Sequence, residues 1–308
     1  MAIFNGKQFA AKKEAVLKAK VAVLKQKGQT PKLVSFLAGE NPESELYTRL
    51  KKEAAGRIGI DFEVKKFTDS VAPEEFIREI EKVNQDTSVQ GIMVQLPLPK
   101  KFEIRNSKFE ILGAIAPSKD VDGLTPENLG LVMLEKPRFL PATVKAVMEI
   151  IKGVILGSEA TPESDPGQVR TMDPGQARMT DGKWLKGESV CLVGASEMVG
   201  KPLAMILSAA GATVTLCRST TKNLAEFTRQ ADILISATGV PGLIKKEMVK
   251  EKAIVVDVGI KKVEGRILGD VEKEVAGVAS FMTPVPGGVG PVTVVSLLEN
   301  LVETISSS

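Results

Sequence analysis

The sequence contains no histidine. That absence removes Ser-His-Asp and Cys-His nucleophile systems, His-ligated zinc, and imidazole as a general acid or base. Any proton transfer must fall to Lys, Tyr, Asp, Glu or water. Aromatic residues are scarce, with one Trp and one Tyr, which leaves little for base-stacking platforms. The only two cysteines, Cys191 and Cys217, each sit beside an apolar run. They rule out a disulfide framework and point to a reducing, cytoplasmic location. No apolar run reaches the roughly 18 residues that would read as a membrane span, so no membrane partner is expected. Lys+Arg 41 against Asp+Glu 38 leaves a net +3, too balanced for a dedicated nucleic-acid binder.

What is present is ordinary globular material: 308 residues, 43% hydrophobic and 26% charged. The length is about twice that of a single domain. The lysine-rich N-terminus raises the question of a transit peptide, but it lacks arginine, and Leu17, Val21 and Leu24 give it a helical apolar face. It reads as the first helix of the fold.

From residue 30 to 115 strand and helix patterns alternate. Leu33–Ala38 is a buried-strand run, followed by a helix over about 44–56. A strand begins at Phe62–Val64, residues 73–84 form a helix, and Gly91–Leu96 is a third strand ending at Pro97. A second series starts near 189. Ser189–Gly194, Thr213–Cys217, Ile233–Ser236 and Ala253–Val258 are strands at spacings typical of a nucleotide-binding sheet, and Pro202–Ala210 is a helix. Helices over Thr143–Lys152 and Val292–Ile305 join and close the two series. The fold class is α/β with two lobes, both built on parallel sheets, the second Rossmann-like. Residues 157–182 carry a tandem Asp-Pro-Gly-Gln repeat at Asp165 and Asp173. This turn chemistry reads as a mobile surface insertion rather than a lid, placed away from the nucleotide crevice.

Gly194-Ala195-Ser196-Glu197-Met198-Val199-Gly200 sits where a strand turns into a helix, the place where N–H groups attract a pyrophosphate. It departs from G-x-G-x-x-G, and a plain turn accounts for it as well as a cofactor site does. At the end of the next strand an NAD site usually carries an acid for the ribose 2′-hydroxyl. Here the chain reads Cys217-Arg218-Ser219-Thr220, a cation and hydroxyls that suit the 2′-phosphate of NADP, though taken alone a solvated loop cation is the commoner explanation. Tyr47 and Lys51 stand i, i+4 on one helix face, a spacing an exposed pair would also show. Gln95 lies at a strand's C-terminal end, where α/β folds place ligands. Lys119-Asp120-Val121-Asp122-Gly123-Leu124 sets two carboxylates beside a glycine turn, which an Asx turn also explains.

Together these motifs resemble one family. Gly39–Tyr47 with Lys51, then Val94-Gln95-Leu96-Pro97-Leu98-Pro99, then Lys119–Leu124, look like the substrate lobe of the bifunctional methylenetetrahydrofolate dehydrogenase/cyclohydrolases. Gly194-Ala195-Ser196 with Val199-Gly200-Lys201-Pro202, and Pro284–Thr293, look like its cofactor lobe and closing segment. Two segments differ from the family pattern. Pro141-Ala142-Thr143-Val144 replaces a Pro-Cys-Thr-Pro, and the 157–182 insertion is larger.

The resemblance implies NADP-dependent oxidation of 5,10-methylenetetrahydrofolate and hydrolysis of the methenyl product to 10-formyltetrahydrofolate, in one-carbon metabolism and purine biosynthesis. It implies a folate-binding domain over 1–142, completed by 284–308 through a returning C-terminal helix, and an NADP-binding domain over 143–283. Lys51 would shuttle protons, Gln95 would hold it, Asp122 would grip the pterin and Tyr47 would stack on the folate. Pro286, Gly287 and Gly288 would touch substrate. Gly194, Ala195, Ser196, Val199, Gly200, Arg218, Ser219, Thr238, Gly239, Gly290 and Thr293 would meet the cofactor, and Gly288 would join the last two in closing around nicotinamide and substrate. No metal is expected, and a homodimer through the cofactor lobe is. A dehydrogenase without cyclohydrolase activity, and a non-catalytic protein on this fold, are the alternatives.

Overall fold

The computed structural model describes residues 2–102, 107–156 and 183–306. The 157–182 insertion and its repeat therefore lie outside the described residues. In chain order the elements are β1 (Ala2–Ile3), α1 (Gly6–Gln26), β2 (Lys32–Ala38), α2 (Pro42–Ile58), β3 (Asp61–Phe67), α3 (Pro73–Gln85), β4 (Gly91–Val94), α4 (Ser107–Gly113), α5 (Pro126–Met133) and α6 (Ala142–Ile155). Then follow β5 (Ser189–Val193), α7 (Gly200–Ala209), β6 (Thr213–Cys217), α8 (Leu224–Thr228), β7 (Ile233–Ser236), β8 (Ile254–Asp257), β9 (Lys261–Val263), β10 (Arg266–Leu268), β11 (Phe281–Met282) and α9 (Val289–Ser306). No described helix is long and apolar enough to cross a membrane.

The chain divides into two compact units, one from Ala10–Ala142 with Val294–Ser308, the other from Met1–Phe9 with Thr143–Thr293. These bounds differ from the sequence expectation at both ends. Residues 1–9 go with the second unit because Ala2 and Ile3 pair in parallel with Phe281 and Met282. Two-residue strands carry no periodicity by which to foresee them.

In the first unit β2 is central, in the order β3-β2-β4, and every pairing is parallel. A strand covered on both faces reads as a near-continuous apolar run, and Leu33, Val34, Phe36, Leu37 and Ala38 are all buried around a buried Ser35. Leu17, Val21 and Leu24 of α1, Ala54, Ala55 and Ile58 of α2, and Leu297, Leu298 and Leu301 of α9 share one core. The α1 stripe is thus the apolar face read from the sequence. Helix α2 begins where Asn41 Oδ1 accepts from Glu43 N and Ser44 N at 2.9 and 3.1 Å, with Pro42 in the first turn.

In the second unit six strands run in the order β1-β11-β8-β7-β5-β6, again all parallel. The chain leaves β5 to one side for β6 and then crosses to the other for β7. That reversal is the topological switch point, outside whose strand ends such sheets bind ligands. Cys191 and Cys217 lie buried on β5 and β6 as free thiols, their Sγ atoms 3.8 Å apart.

Candidate active site

In the first unit, α2 and the end of β4 bring Lys51 and Gln95 together. Lys51 is 9% exposed, and its Nζ donates to Gln95 Oε1 at 2.9 Å and lies 3.8 Å from Met93 Sδ. Gln95 is itself anchored, its Nε2 donating to Leu96 O at 2.7 Å and its backbone N–H to Phe36 O at 2.8 Å. The amide nitrogen is therefore spent on the main chain, and the oxygen faces the lysine. Burial lowers the Lys51 pKa, and the nearby Asp122 carboxylate works against that. Tyr47, one turn before Lys51, is half-buried, and burial, then the Glu43 charge, raises its phenol.

Asp122 sits in a turn whose backbone is held from several directions. Asn300 Nδ2 donates to Val121 O at 2.9 Å and to Leu140 O at 3.0 Å, and Ala142 N donates to Asp122 O at 3.3 Å. Asp120 Oδ2 accepts from Thr125 N at 2.7 Å and Asn128 Nδ2 at 2.9 Å. Gly123 has φ +69, and a Cβ there would come 3.0 Å from Pro141 N. The turn thus needs a glycine. Burial pushes the Asp122 carboxyl up, Lys51 draws it down, and Asp120 adds to the rise. Lys51 is buried and Asp122 half-buried, and each draws the other toward its charged form while burial opposes it. Asn300 was not foreseen, since its partners lie some 160 residues or more away in sequence.

In the second unit, the ends of β5, β6 and β7 meet. Gly194 N donates to Cys217 O at 2.9 Å and Ala237 N to Val193 O at 2.8 Å. Gly194 has φ +115, and a Cβ there would sit 2.4 Å from Ala237 O. A Cβ on Gly200 would fall 1.9 Å from Gly194 O. The end of β5, the start of α7 and the residue after β7 are thus packed backbone against backbone, and the α7 N-terminus lies at the sheet's switch point. Ser196 Oγ accepts from Val199 N and Gly200 N, both at 3.3 Å, and Ala195 and Ser196 form the open rim. Arg218 and Ser219 are exposed beyond β6, where Arg218 N donates to Thr221 Oγ1 at 2.9 Å. Thr238 and Gly239 follow β7. Pro286, Gly287, Gly288, Gly290 and Thr293 fall in this unit, with Gly288 buried and Thr293 Oγ1 donating to Val289 O at 3.3 Å. Among the described residues no group of three or more Cys, Asp or Glu is placed to hold a metal.

Two sequence profiles match this chain: the catalytic domain of tetrahydrofolate dehydrogenase/cyclohydrolase over residues 4–122, and its NAD(P)-binding domain over 178–308. The chain belongs to the tetrahydrofolate dehydrogenase/cyclohydrolase family. It is 41% identical over 302 residues to bifunctional protein FolD of Exiguobacterium sibiricum, covering 98% of each chain. To that of Streptococcus equi subsp. equi it is 43% identical over 300 residues, covering 96% of this chain and 95% of the relative. The solved structure of the bifunctional FolD enzyme from Campylobacter jejuni superposes with a TM-score of 0.86 at 39% identity, covering 100% of this chain and 99% of that one. The Trypanosoma brucei enzyme, solved in complex with NADP cofactor and inhibitor, has a TM-score of 0.85 at 33% identity, covering 99% and 97%. Within this family the catalytic-domain match takes in Tyr47, Lys51 and Gln95 and ends at Asp122, while the NAD(P)-binding match takes in Gly194 through Thr293.

Proposed function

We propose that this chain oxidises 5,10-methylenetetrahydrofolate with NADP and hydrolyses the resulting methenyl compound to 10-formyltetrahydrofolate, with Lys51 as the group that moves protons. The observation that carries this reading is the buried Lys51–Gln95 hydrogen bond of 2.9 Å beside Asp122. Hydrolysis adds water to a cationic amidinium carbon and then breaks one C–N bond. Water must lose a proton as it attacks, and the departing ring nitrogen must gain one. An amine whose pKa is lowered by burial is available as a base nearer neutrality than a free lysine. Gln95 Oε1 occupies one N–H of Lys51 and so fixes where the amine points. Asp122 accepts from the pterin's amino and ring N–H groups, a two-donor edge suited to a carboxylate. Tyr47 stacks on the folate and orients it.

The residues of the second unit fit a dinucleotide, because the cradle at Gly194 lies where β5 ends and α7 begins, at the switch point of a parallel sheet. Ala195, Ser196, Val199 and Gly200 would hold the pyrophosphate, and Thr238, Gly239, Gly290 and Thr293 would line the remainder. Arg218 and Ser219 would hold the 2′-phosphate. When bound, NADP supplies the acceptor for the hydride of the one-carbon bridge. Pro286, Gly287 and Gly288 are assigned to substrate. On this reading the unit of residues 10–142 with 294–308 is the folate-binding domain and that of 1–9 with 143–293 the NADP-binding domain. A cytoplasmic location is supported by the low cysteine content of the sequence, and a homodimer by family resemblance.

The test is an absorbance assay of NADPH formation with methylenetetrahydrofolate, run with NADP and with NAD, beside an assay of methenyl hydrolysis without cofactor. Turnover in both, with NADP preferred, is expected. No NADP-dependent turnover, or turnover with no hydrolysis, overturns the reading.

A further inference from the structure

Two carboxylates that the mechanism does not use are buried together in the second unit. Asp270 is 1% exposed and Asp257 3%. The Asp270 Oδ2 atom accepts from Ser236 Oγ at 2.8 Å, Thr238 N at 2.7 Å and Thr238 Oγ1 at 2.8 Å. Thr238 Oγ1 in turn accepts from Val240 N at 3.1 Å. The end of β7 at Ser236 and the turn residue Thr238 are therefore tied to one oxygen, and Val240 is tied to Thr238. A carboxylate is the side chain that can do this, since it accepts in several directions and donates in none. Asp257 holds Asp270 from behind. Its Oδ1 accepts from Asp270 N at 3.1 Å and its Oδ2 from Val271 N at 3.0 Å. Room for both carboxylates is kept by glycines: a Cβ on Gly259 would lie 2.0 Å from Asp270 Oδ1, and one on Gly269 2.0 Å from Asp257 Oδ2. Burial raises the Asp257 carboxyl to about 7, and the charge of Asp270 adds to that. Burying two acids costs free energy, so the arrangement calls for a return.

The return lies in what the tied turn touches. Ala237 belongs to it, and Ala237 O is the atom a Cβ on Gly194 would meet at 2.4 Å. Ala237 N also donates to Val193 O at 2.8 Å. The turn is thus one wall of the Gly194 cradle, and its next residues are Thr238 and Gly239.

We propose that Asp270, backed by Asp257, is a positioning residue for dinucleotide binding, fixing the Thr238–Gly239 turn against Gly194. The proposal rests on the reading of that cradle as the NADP site. Asp270 touches no substrate; it acts through Thr238.

Asp270→Asn should raise the KM for NADP by about ten- to hundredfold, the range expected when charge-assisted hydrogen bonds are lost. Hydrolysis of methenyltetrahydrofolate, measured without cofactor, should keep its kcat/KM within about twofold. Thr238→Val should raise the NADP KM as well. Because the two groups act as one unit, the double variant should rise no further than the worse single variant. Ser236→Ala, which removes one tether, should give a several-fold rise and serves as the test if Asp270→Asn does not fold. Three results overturn the proposal. One is a wild-type NADP KM in folded Asp270→Asn, or in Ser236→Ala where that variant replaces it. Another is an equal loss of the cofactor-free hydrolysis. The third is effects that multiply in the double variant. Absence of NADP turnover in the wild type would instead overturn the cofactor-site reading, so the two failures are distinct.

Discussion

Lys51 meets two opposing demands: it must be dry enough to shed its proton and wet enough, or partnered enough, to exist at all. Its burial against α2 and β4 answers the first, and Gln95 Oε1 at 2.9 Å answers the second. Lys51→Met should abolish methenyl hydrolysis while folate still binds, as read by direct titration of substrate into the variant; full hydrolysis would refute the assignment. The sign of the Asp122 effect gives a sharper test. Its carboxylate raises the lysine pKa, so Asp122→Asn should lower it. The alkaline-rising limb of kcat for hydrolysis should then move to lower pH, and a limb that stays in place or moves upward would show that the two groups are not coupled. Asp122→Asn should also raise the KM for folate, because the same oxygen atoms are proposed to hold the pterin. That α2 sets Lys51 near Gln95 at the end of β4 was legible in the sequence, since i, i+4 spacing and strand ends are local signals. Asn300 and Asp270 were not. Each does its work through partners far along the chain, Val121 and Ser236 among them, and no local pattern marks such a residue.

At the scale of elements, the ends of β5, β6 and β7 are the proposed dinucleotide edge, and each can be tested alone. Losing Arg218 beyond β6 removes the cation proposed to hold the 2′-phosphate. Arg218→Ala should raise the NADP KM by about ten- to hundredfold and leave the NAD value little changed, by steady-state kinetics with each cofactor. An equal effect on both would move the 2′-phosphate elsewhere. At β5, Gly194→Ala would force a side chain onto φ +115 and within 2.4 Å of Ala237 O, so both cofactors should bind more weakly together. The contrast between the variants separates recognition of one phosphate from the space needed for the whole dinucleotide. The long elements were readable: the expected strand over 213–217 is β6, and the helix expected over 73–84 is α3, Pro73–Gln85. The short ones were not. Strands β1 and β11, and the antiparallel pair β9 and β10, have two or three residues each, too few to show a period of two.

At the scale of the whole molecule, stability should carry the mark of Asp257. Its folded carboxyl titrates at about 7, against roughly 3.9 in an unfolded chain. Between those values the folded state holds a proton that the unfolded state has released, so this group favours folding at low pH. The contribution is lost as pH rises through about 7. In urea unfolding at pH 5 and pH 8, the stability gap between wild type and Asp257→Asn should be wider at pH 5; a constant gap would show that Asp257 does not titrate there. The division of the chain carries a different kind of consequence. Leu17 and Val21 share a core with Leu297, Leu298 and Leu301. At ribosomal speeds of about 5–20 residues per second, the roughly 280 residues between them take on the order of 15–55 s to emerge. For that interval the nascent α1 stripe is without its α9 partners, a greasy surface open to chaperones. A rare-codon pause placed late in the message would lengthen that exposure and lower the yield of folded enzyme, with no change in the protein's composition.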